Sequence, residues 1–230
     1  MSDLQLCLHH ELMLLLLDDS KGNFAGSLYQ YGVAGALLSE LLLQGLIEVS
    51  AEEKSLVSVL SSKETGDPIL DEVLNKIADS KNQFDLTHWV HQAACITDLC
   101  PRAAQQLCEL GILEYNESKI LWLFTCKRYP ELDGSYEDAI RKRMADVMFF
   151  PDVKSDQRTA VLISFAKTSG ALAANFASAE LKQHAARIEE ICEGKQLASG
   201  AAIEAVQAVQ TALMAATIAS TTAAAISAAS

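Results

Sequence analysis

Hydrophobic residues recur at helical spacing along most of this chain. The first such stretch, LHHELMLLLLDDSKG at residues 8–22, contains six consecutive apolar residues that end at Asp18 and Asp19. Spanning a bilayer requires roughly 20 apolar residues, so this run is too short to cross a membrane. It also lacks the preceding basic segment and the small-residue cleavage site of a signal peptide. We therefore expect a buried helix over residues 8–17.

The same spacing predicts further buried helices. One such helix is predicted in the segment GVAGALLSELLLQG, and Gly45 is expected to end it. One face of this helix carries Val33, Leu37, Leu38, Leu41 and Leu42. In the next helix, Asp67 is a favourable N-cap and Pro68 suits the first turn. The buried stripe of that helix is predicted to be Ile69, Leu70, Val73, Leu74 and Ile77. The segments LTHWVHQAAC and PRAAQQLCELG, residues 135–149 and residues 156–191 are also helical by period.

Two parts of the chain have the composition of paired strands. Short alternating pieces at residues 46–49 and 56–60 predict a small hairpin. The segment ILEYNESKILWLF predicts a second hairpin, with strands at residues 112–115 and 119–124 on either side of NES. The second strand of this hairpin is apolar at consecutive positions, so both of its faces should be buried.

The expected fold is mainly α, with a single globular helical domain and peripheral β-hairpins. We place this domain at residues 1–216, because no long Pro-, Gly- or Ser-rich linker divides it. Residues 217–230 are predicted to be an Ala/Ser/Thr-rich C-terminal tail. The chain carries no charge from residue 205 onwards, but its weak hydrophobicity favours a packed helix to about residue 216 over a membrane span.

Composition and charge exclude several classes of protein. The 230 residues are 50% apolar and 21% charged, which predicts a folded chain with a substantial core. The net charge of −12 argues against broad nucleic-acid binding, which requires cations to neutralise phosphates. Six cysteines without a CxxC pair or a secretory signal predict reduced thiols in a cytoplasmic protein.

The best metal-like cluster in the sequence comprises His88, His91, Cys95 and Cys100. Imidazole and thiolate suit zinc, but the spacing matches no known finger or enzyme motif. A surface histidine pair with buried cysteines is therefore favoured, and no metal or other cofactor is expected. The triplet HHE at residues 9–11 lacks the HExxH spacing and predicts a helix start. Without a nucleophile motif, a phosphate loop or a paired acid and base, the sequence predicts no enzyme.

Basic residues concentrate at one place in the chain, namely at Lys127, Arg128, Arg141, Lys142 and Arg143. Two interpretations have equal support. The cations contact anionic lipid, where each contributes about 1 kcal/mol, or they lie on a solvated helix face that Glu137 and Asp138 partly neutralise.

Four segments of the chain resemble the Golgi phosphoprotein 3-like family in order and spacing. They are LHHELMLLLLDDSKG, YGVAGALLSELLLQGLI, TGDPILDEVL and LCELGILEYNESKILWLF, and LISFAKTSGALAANFA extends the resemblance, which covers about residues 6–216. The resemblance implies a mostly helical domain with hairpins. It also implies a peripheral membrane protein, since members bind phosphatidylinositol 4-phosphate and, in eukaryotes, retain glycosyltransferases in the Golgi.

In that family a tryptophan and three arginines hold the lipid headgroup. Their positions by resemblance are Ala25, Ala34, Thr97 and Cys100, so none of the ligand types is kept. Binding of a phosphomonoester requires cationic hydrogen-bond donors. The cationic residue nearest to these positions in the sequence is Arg102. The resemblance therefore implies the fold, whereas phosphatidylinositol 4-phosphate binding is expected to be weak or absent.

Two functions agree with these features. The first is a peripheral adaptor on the cytosolic face of a membrane, with anion contacts at Arg102 and at residues 141–143. In this function the hairpin supplies apolar contact through Tyr115, Ile120, Leu121, Trp122, Leu123 and Phe124. The alternative is a soluble oligomeric scaffold that has lost lipid binding and uses the same hairpin to self-associate, as the family does.

Overall fold

Ten helices and three antiparallel hairpins make up the part of the chain that this computed structural model describes, residues 6–18, 23–24, 29–50, 56–120 and 124–195. The helices are α1 (Leu8–Leu16), α2 (Tyr29–Leu43), α3 (Pro68–Ala78), α4 (Leu86–Ala94), α5 (Leu99–Glu109), α6 (Ser135–Phe149), α7 (Gln157–Ser169), α8 (Ala171–Asn175), α9 (Ser178–Gln183) and α10 (Ala185–Cys192). The strands are β1 (Leu17–Asp18), β2 (Asn23–Phe24), β3 (Ile47–Val49), β4 (Val57–Val59), β5 (Asn116–Ile120) and β6 (Phe124–Arg128). The prediction of a mainly α fold is confirmed.

The core is built around α1. All nine of its residues are buried, because α2, α5, α6, α7 and α8 pack around it. The first apolar stretch of the chain therefore forms a central helix of the domain. It ends at Leu16, and Leu17 and Asp18 then pair with Phe24 and Asn23 across a short hairpin.

The helices α2 and α3 follow the predicted patterns. On α2 the side chains of Val33, Leu37, Leu38 and Leu41 are fully buried, while Leu42 is half-buried. Gly45 has φ +66°, a conformation that glycine adopts without steric cost, and the chain turns there into β3. All five residues predicted for the stripe of α3 are buried.

The first predicted hairpin is confirmed, with β3 paired to β4. The second prediction was wrong in its position, because the hairpin lies about four residues later in the chain. The predicted turn, NES, is part of β5, and Ile120 pairs with Phe124. Ile112 and Leu113 are buried, so they hold this part of the chain against the core instead of starting a strand.

Within the described ranges, no helix is both long enough and apolar enough to span a bilayer. The predicted boundary at residue 216 and the C-terminal tail lie outside the described residues.

Candidate functional site

Four side chains that can bind metals converge at the start of α1. Cys7 is the N-cap residue of α1, His9 and His10 lie in its first turn, and Asp67 is the N-cap of α3. One ligand atom from each lies within 4.8 Å of the others. The two histidines and Asp67 are buried, and Cys7 is half-buried. We call these four residues the Cys7 cluster.

Asp67 serves α3 and the Cys7 cluster at once. Its Oδ1 accepts the backbone N–H groups of Ile69 at 2.8 Å and Leu70 at 3.1 Å, which caps the helix. Its Oδ2 lies 3.3 Å from Nε2 of His9 and 3.9 Å from Nε2 of His10. One carboxylate therefore caps the start of a helix and faces two imidazoles.

Gln106, on α5, bridges the two sides of the cluster. Its Oε1 lies 2.9 Å from Nε2 of His10, and its Nε2 donates to Oδ1 of Asp67 at 3.1 Å. His9 has no such hydrogen bond. Both of its ring nitrogens are buried, and neither has a hydrogen-bond partner among the described residues, although Nε2 lies 3.3 Å from Oδ2 of Asp67.

Burial dominates the ionisation of this cluster. It lowers the pKa of His10 to about 3, with the neighbouring His9 adding to the effect, so the imidazole is neutral near pH 7. It raises the pKa of the Cys7 thiol to about 12, helped by the charges of Glu40 and Asp67. Burial opposes ionisation of Asp67 too, but the close approach of His9 and the hydrogen bond from Gln106 bring its pKa below the usual range.

A second buried network lies beside the cluster. Arg158, on α7, forms ion pairs with Glu40 at 2.9 Å and with Glu11 at 3.5 Å, and Arg143 lies 3.0 Å from the same oxygen of Glu11. A cavity of about 580 Å³ opens next to this network, and Cys7, Glu40 and Arg158 line part of it. Of the Cys7 cluster, it is the Cys7 side that borders this cavity.

The cations predicted as anion contacts on α6 all have acidic partners. Arg141 pairs with Glu137 at 2.9 Å, Lys142 pairs with Asp146 at 2.7 Å, and Arg143 pairs with Glu11. Such ion pairs are typical of a helix face whose charges are partly neutralised. Lipid contact by these residues stays a prediction.

Arg102 is also paired, with its Nη1 at 2.7 Å from Oε2 of Glu72. Of the four headgroup positions carried over by resemblance, Ala34 on α2 and Cys100 on α5 are buried in the core, and Thr97 is exposed just before α5. Ala25 lies outside the described residues.

The four residues that form the best metal-like cluster in the sequence do not come together in the structure. His88 stacks on Phe84 with ring centroids 3.9 Å apart, and Sγ of Cys95 lies 3.6 Å from Nδ1 of His91 at the surface. Cys100 is buried, and burial raises the pKa of its thiol to about 12. Within the described ranges, the residues that come together as metal ligands are those of the Cys7 cluster.

Comparison with known proteins identifies the family. The model of the family described as Golgi phosphoprotein 3 (GPP34) matches residues 8–209. This chain belongs to the Golgi phosphoprotein 3 family. It is also similar to the vacuolar protein sorting-associated protein 74 of two fungi. The identity is 28% over 165 residues for Schizosaccharomyces pombe (63% of this chain, 48% of the relative) and 26% over 164 residues for Eremothecium gossypii (62% and 49%). The chain spans about half the length of these curated relatives.

The β5–β6 hairpin of this Golgi phosphoprotein 3 family member packs mainly on itself among the described residues. Tyr115, just before it, is 40% exposed, and its hydroxyl donates to Glu117 at 2.8 Å. Leu121, Trp122 and Leu123 connect the paired Ile120 and Phe124 and lie outside the described residues. A role of the hairpin in association or membrane contact therefore stays a prediction.

The Cys7 cluster was not predicted from the sequence, although its pattern singles out His9, His10 and Asp67 separately. Their meeting depends on the packing of α1 and α3, which the periodicity of either helix does not reveal. One indication was present in the chain: two histidines stand at the start of a helix that is otherwise almost entirely apolar. Buried polar side chains of this kind need partners.

Proposed function

We propose that this protein is a non-enzymatic adaptor that attaches peripherally to the cytosolic face of a membrane. Its membership of the Golgi phosphoprotein 3 family supports this type of protein. The two fungal relatives are named for vacuolar protein sorting, which supports a role in the sorting of protein clients. The observation that carries the proposal is the β5–β6 hairpin.

This hairpin combines apolar and cationic residues in one short segment. Leu121, Trp122 and Leu123 join its strands, and Lys119, Lys127 and Arg128 lie on the strands themselves. Burying one Leu or Phe side chain contributes roughly 1.5–3 kcal/mol, and each cation near anionic lipid adds about 1 kcal/mol. Because β5 and β6 make no extensive contact with the described helices, the hairpin suits a membrane surface or a second copy of the chain.

Recognition of the headgroup is proposed to be weak in this family member. Thr97 and Cys100 stand where the family has arginines, and Ala34 has neither a charge nor exposure. The attachment that we propose therefore depends on the charge of the membrane and on apolar insertion more than on phosphatidylinositol 4-phosphate. The helical domain is proposed to continue to residue 216.

Flotation with vesicles tests this function. The full chain is mixed with phosphatidylcholine vesicles that either contain or lack phosphatidylserine, and we expect flotation with the anionic vesicles. Changing Leu121→Ser together with Leu123→Ser should abolish flotation. The matched control is Leu60→Ser with Leu132→Ser, because these leucines are 56% and 65% exposed but lie outside the hairpin. The control should float as the parent does.

Two results would contradict the proposal. A parent chain that floats with neither kind of vesicle supports the soluble scaffold, and light scattering then shows whether the hairpin variant loses a larger species. A hairpin variant that floats like the parent but unfolds at a much lower temperature shows that these residues pack inside the domain.

A further inference from the structure

The Cys7 cluster has the composition of a metal site, and the proposed adaptor role does not use it. We propose that Cys7, His9, His10 and Asp67 bind one divalent cation of the zinc class. The cation joins the start of α1 to the start of α3. This inference is independent of the proposed membrane function.

The distances in the cluster fit a tetrahedral cation. With metal–ligand bonds of zinc length, neighbouring ligand atoms in a tetrahedron lie about 3.3–3.8 Å apart. Nε2 of His9 lies 3.3 Å from Oδ2 of Asp67, and Nε2 of His10 lies 3.9 Å from the same oxygen. The full set of four ligand atoms spans no more than 4.8 Å. Small side-chain rotations therefore complete the coordination shell.

The imidazole of His9 lacks an adequate partner for its buried nitrogens. Both ring nitrogens of His9 are buried and lack a hydrogen-bond partner among the described residues, although buried polar atoms are nearly always satisfied in folded proteins. Asp67 also directs one carboxylate oxygen, Oδ2, into the cluster. The backbone of α3 and the Gln106 side chain hydrogen-bond Oδ1 and leave Oδ2 facing the imidazoles.

Gln106 orients the site from outside the coordination shell. Its hydrogen bond to Oδ1 fixes the plane of the Asp67 carboxylate, as the outer partners of metal ligands commonly do. Nε2 of His10 contacts Oε1 of Gln106, and because an amide oxygen only accepts hydrogen bonds, this nitrogen carries the ring proton. On metal binding, the ring proton moves through solvent exchange from Nε2 to Nδ1, so that Nε2 can bind the cation, while Gln106 retains Asp67. Gln106 is thus a positioning residue.

Charge and ligand type select the class of cation. One thiolate, one carboxylate and two neutral imidazoles balance a charge of +2, so the loaded site is neutral in a buried environment. Binding converts the Cys7 thiol to a metal-bound thiolate and releases one proton to solvent. Sulfur and imidazole ligands favour zinc over magnesium or calcium, which prefer oxygen. The site has four protein ligands and no open position, which is typical of a structural zinc site.

The approach route that we infer for the cation begins at the Cys7 thiol. Cys7 lines the cavity of about 580 Å³ that it shares with Leu6, Glu40 and Arg158. Entry from this side brings the metal to the sulfur first, and the buried imidazoles follow.

Titration of the full chain with Co²⁺ and Zn²⁺ after removal of metal by a chelator tests the proposal. We expect one equivalent of Co²⁺ to bind, with the intense visible bands of a tetrahedral centre and a near-ultraviolet thiolate-to-metal band. Zn²⁺ should displace it and raise the thermal midpoint. Cys7→Ser should remove the thiolate band, and both Cys7→Ser and His9→Gln should weaken binding by more than the roughly 10–100-fold expected for loss of an outer partner such as Gln106.

The matched control is the pair His91→Gln and Cys95→Ser, which removes the surface histidine and cysteine that contact each other outside the cluster. This control should bind metal as the parent does. Circular dichroism of the metal-free variants shows whether each is folded before metal is added. The proposal is overturned if the parent protein retains no equivalent of metal after gel filtration. It is also overturned by binding that Cys7→Ser and His9→Gln leave unchanged, or by binding that the control abolishes.

Discussion

Nη1 of Arg158, on α7, lies 3.1 and 2.9 Å from the two carboxylate oxygens of Glu40, on α2. The same two residues also hold the start of α1. Glu40 accepts the backbone N–H of Leu8 at 2.7 Å, and Nη2 of Arg158 donates to the carbonyl of Leu6. Three helices are therefore joined through one buried ion pair, and its removal should affect all of them.

Arg158→Met should destabilise the protein strongly. Breaking a buried pair by removing one partner costs roughly 3–5 kcal/mol, because the other charge is left buried without compensation. Urea denaturation measures this change in the free energy of unfolding. The control is Lys142→Met, whose pair with Asp146 is exposed and should contribute less than about 1 kcal/mol. Equal losses in the two variants would show that the Arg158 pair is not important for the fold.

Stability should fall in acid partly because of Glu40. Burial disfavours its charge, but the Arg158 ion pair and the hydrogen bonds from Arg158, Gln44 and Leu8 overcome this and lower its pKa below the ordinary 4.5. A lowered pKa means that the contribution is fully present above about pH 4.5 and is lost as the pH falls through the folded-state value. Glu40→Gln should flatten this part of a plot of unfolding free energy against pH.

Glu11 provides a contrast on the same network. Burial outweighs the charges of Arg143 and Arg158 and raises the pKa of Glu11 above 4.5. Its contribution therefore has the opposite sign, and stability is lost as the pH rises above 4.5 towards the folded-state value. Glu11→Gln should remove that loss and should leave unchanged the decrease in stability at low pH that is assigned to Glu40. Identical pH profiles for the two variants would contradict both assignments.

Asp67→Ala should weaken α3 even in metal-free protein. The change removes the Oδ1 acceptor from the backbone N–H groups of Ile69 and Leu70, and loss of such a cap costs about 0.5–2 kcal/mol. Asp67→Asn keeps a side-chain oxygen at this position and should cost less. Chemical denaturation in the presence of a chelator separates this effect from metal binding. If Asn and Ala cost the same, the cap is not what Asp67 contributes.

Vesicle binding should respond to membrane charge and to salt more than to the identity of the headgroup. Phosphatidylserine and phosphatidylinositol 4-phosphate vesicles of matched total charge should bind the chain about equally, and high salt should release it from both. Thr97→Arg adds one exposed cation at a headgroup position and should increase binding to anionic vesicles. A strong preference of the parent for phosphatidylinositol 4-phosphate at matched charge would place its recognition at other residues.

Elements with local sequence signals were predictable from this chain. The Asp67-Pro68 start of α3, the stripe that follows and the span of α6 depend on short-range spacing, and all three match the structure. The second hairpin was misplaced because its apolar residues mark strand propensity but not register. Register was decided by the burial of Ile112 and Leu113 after α5, a tertiary effect.

The Cys7 cluster could not be predicted because its residues and their partner Gln106 belong to different helices. Cys7 and His10 belong to the start of α1, Asp67 to the start of α3 and Gln106 to α5. Each residue has an ordinary explanation in its own segment, such as a cap or a helix start. Their combined chemistry exists only once the three helices pack together.

The burial of α1 on every side has a consequence for synthesis on the ribosome. Its leucines emerge before every helix that covers them, and α7 is completed only at Ser169. At 5–20 residues per second, roughly 8–30 s pass between the two events. During that interval an apolar helix without a polar face stays uncovered, and such surface is prone to aggregation. We therefore expect nascent chains that stop before α7 to depend on chaperones, whereas chains that include it can bury α1 themselves.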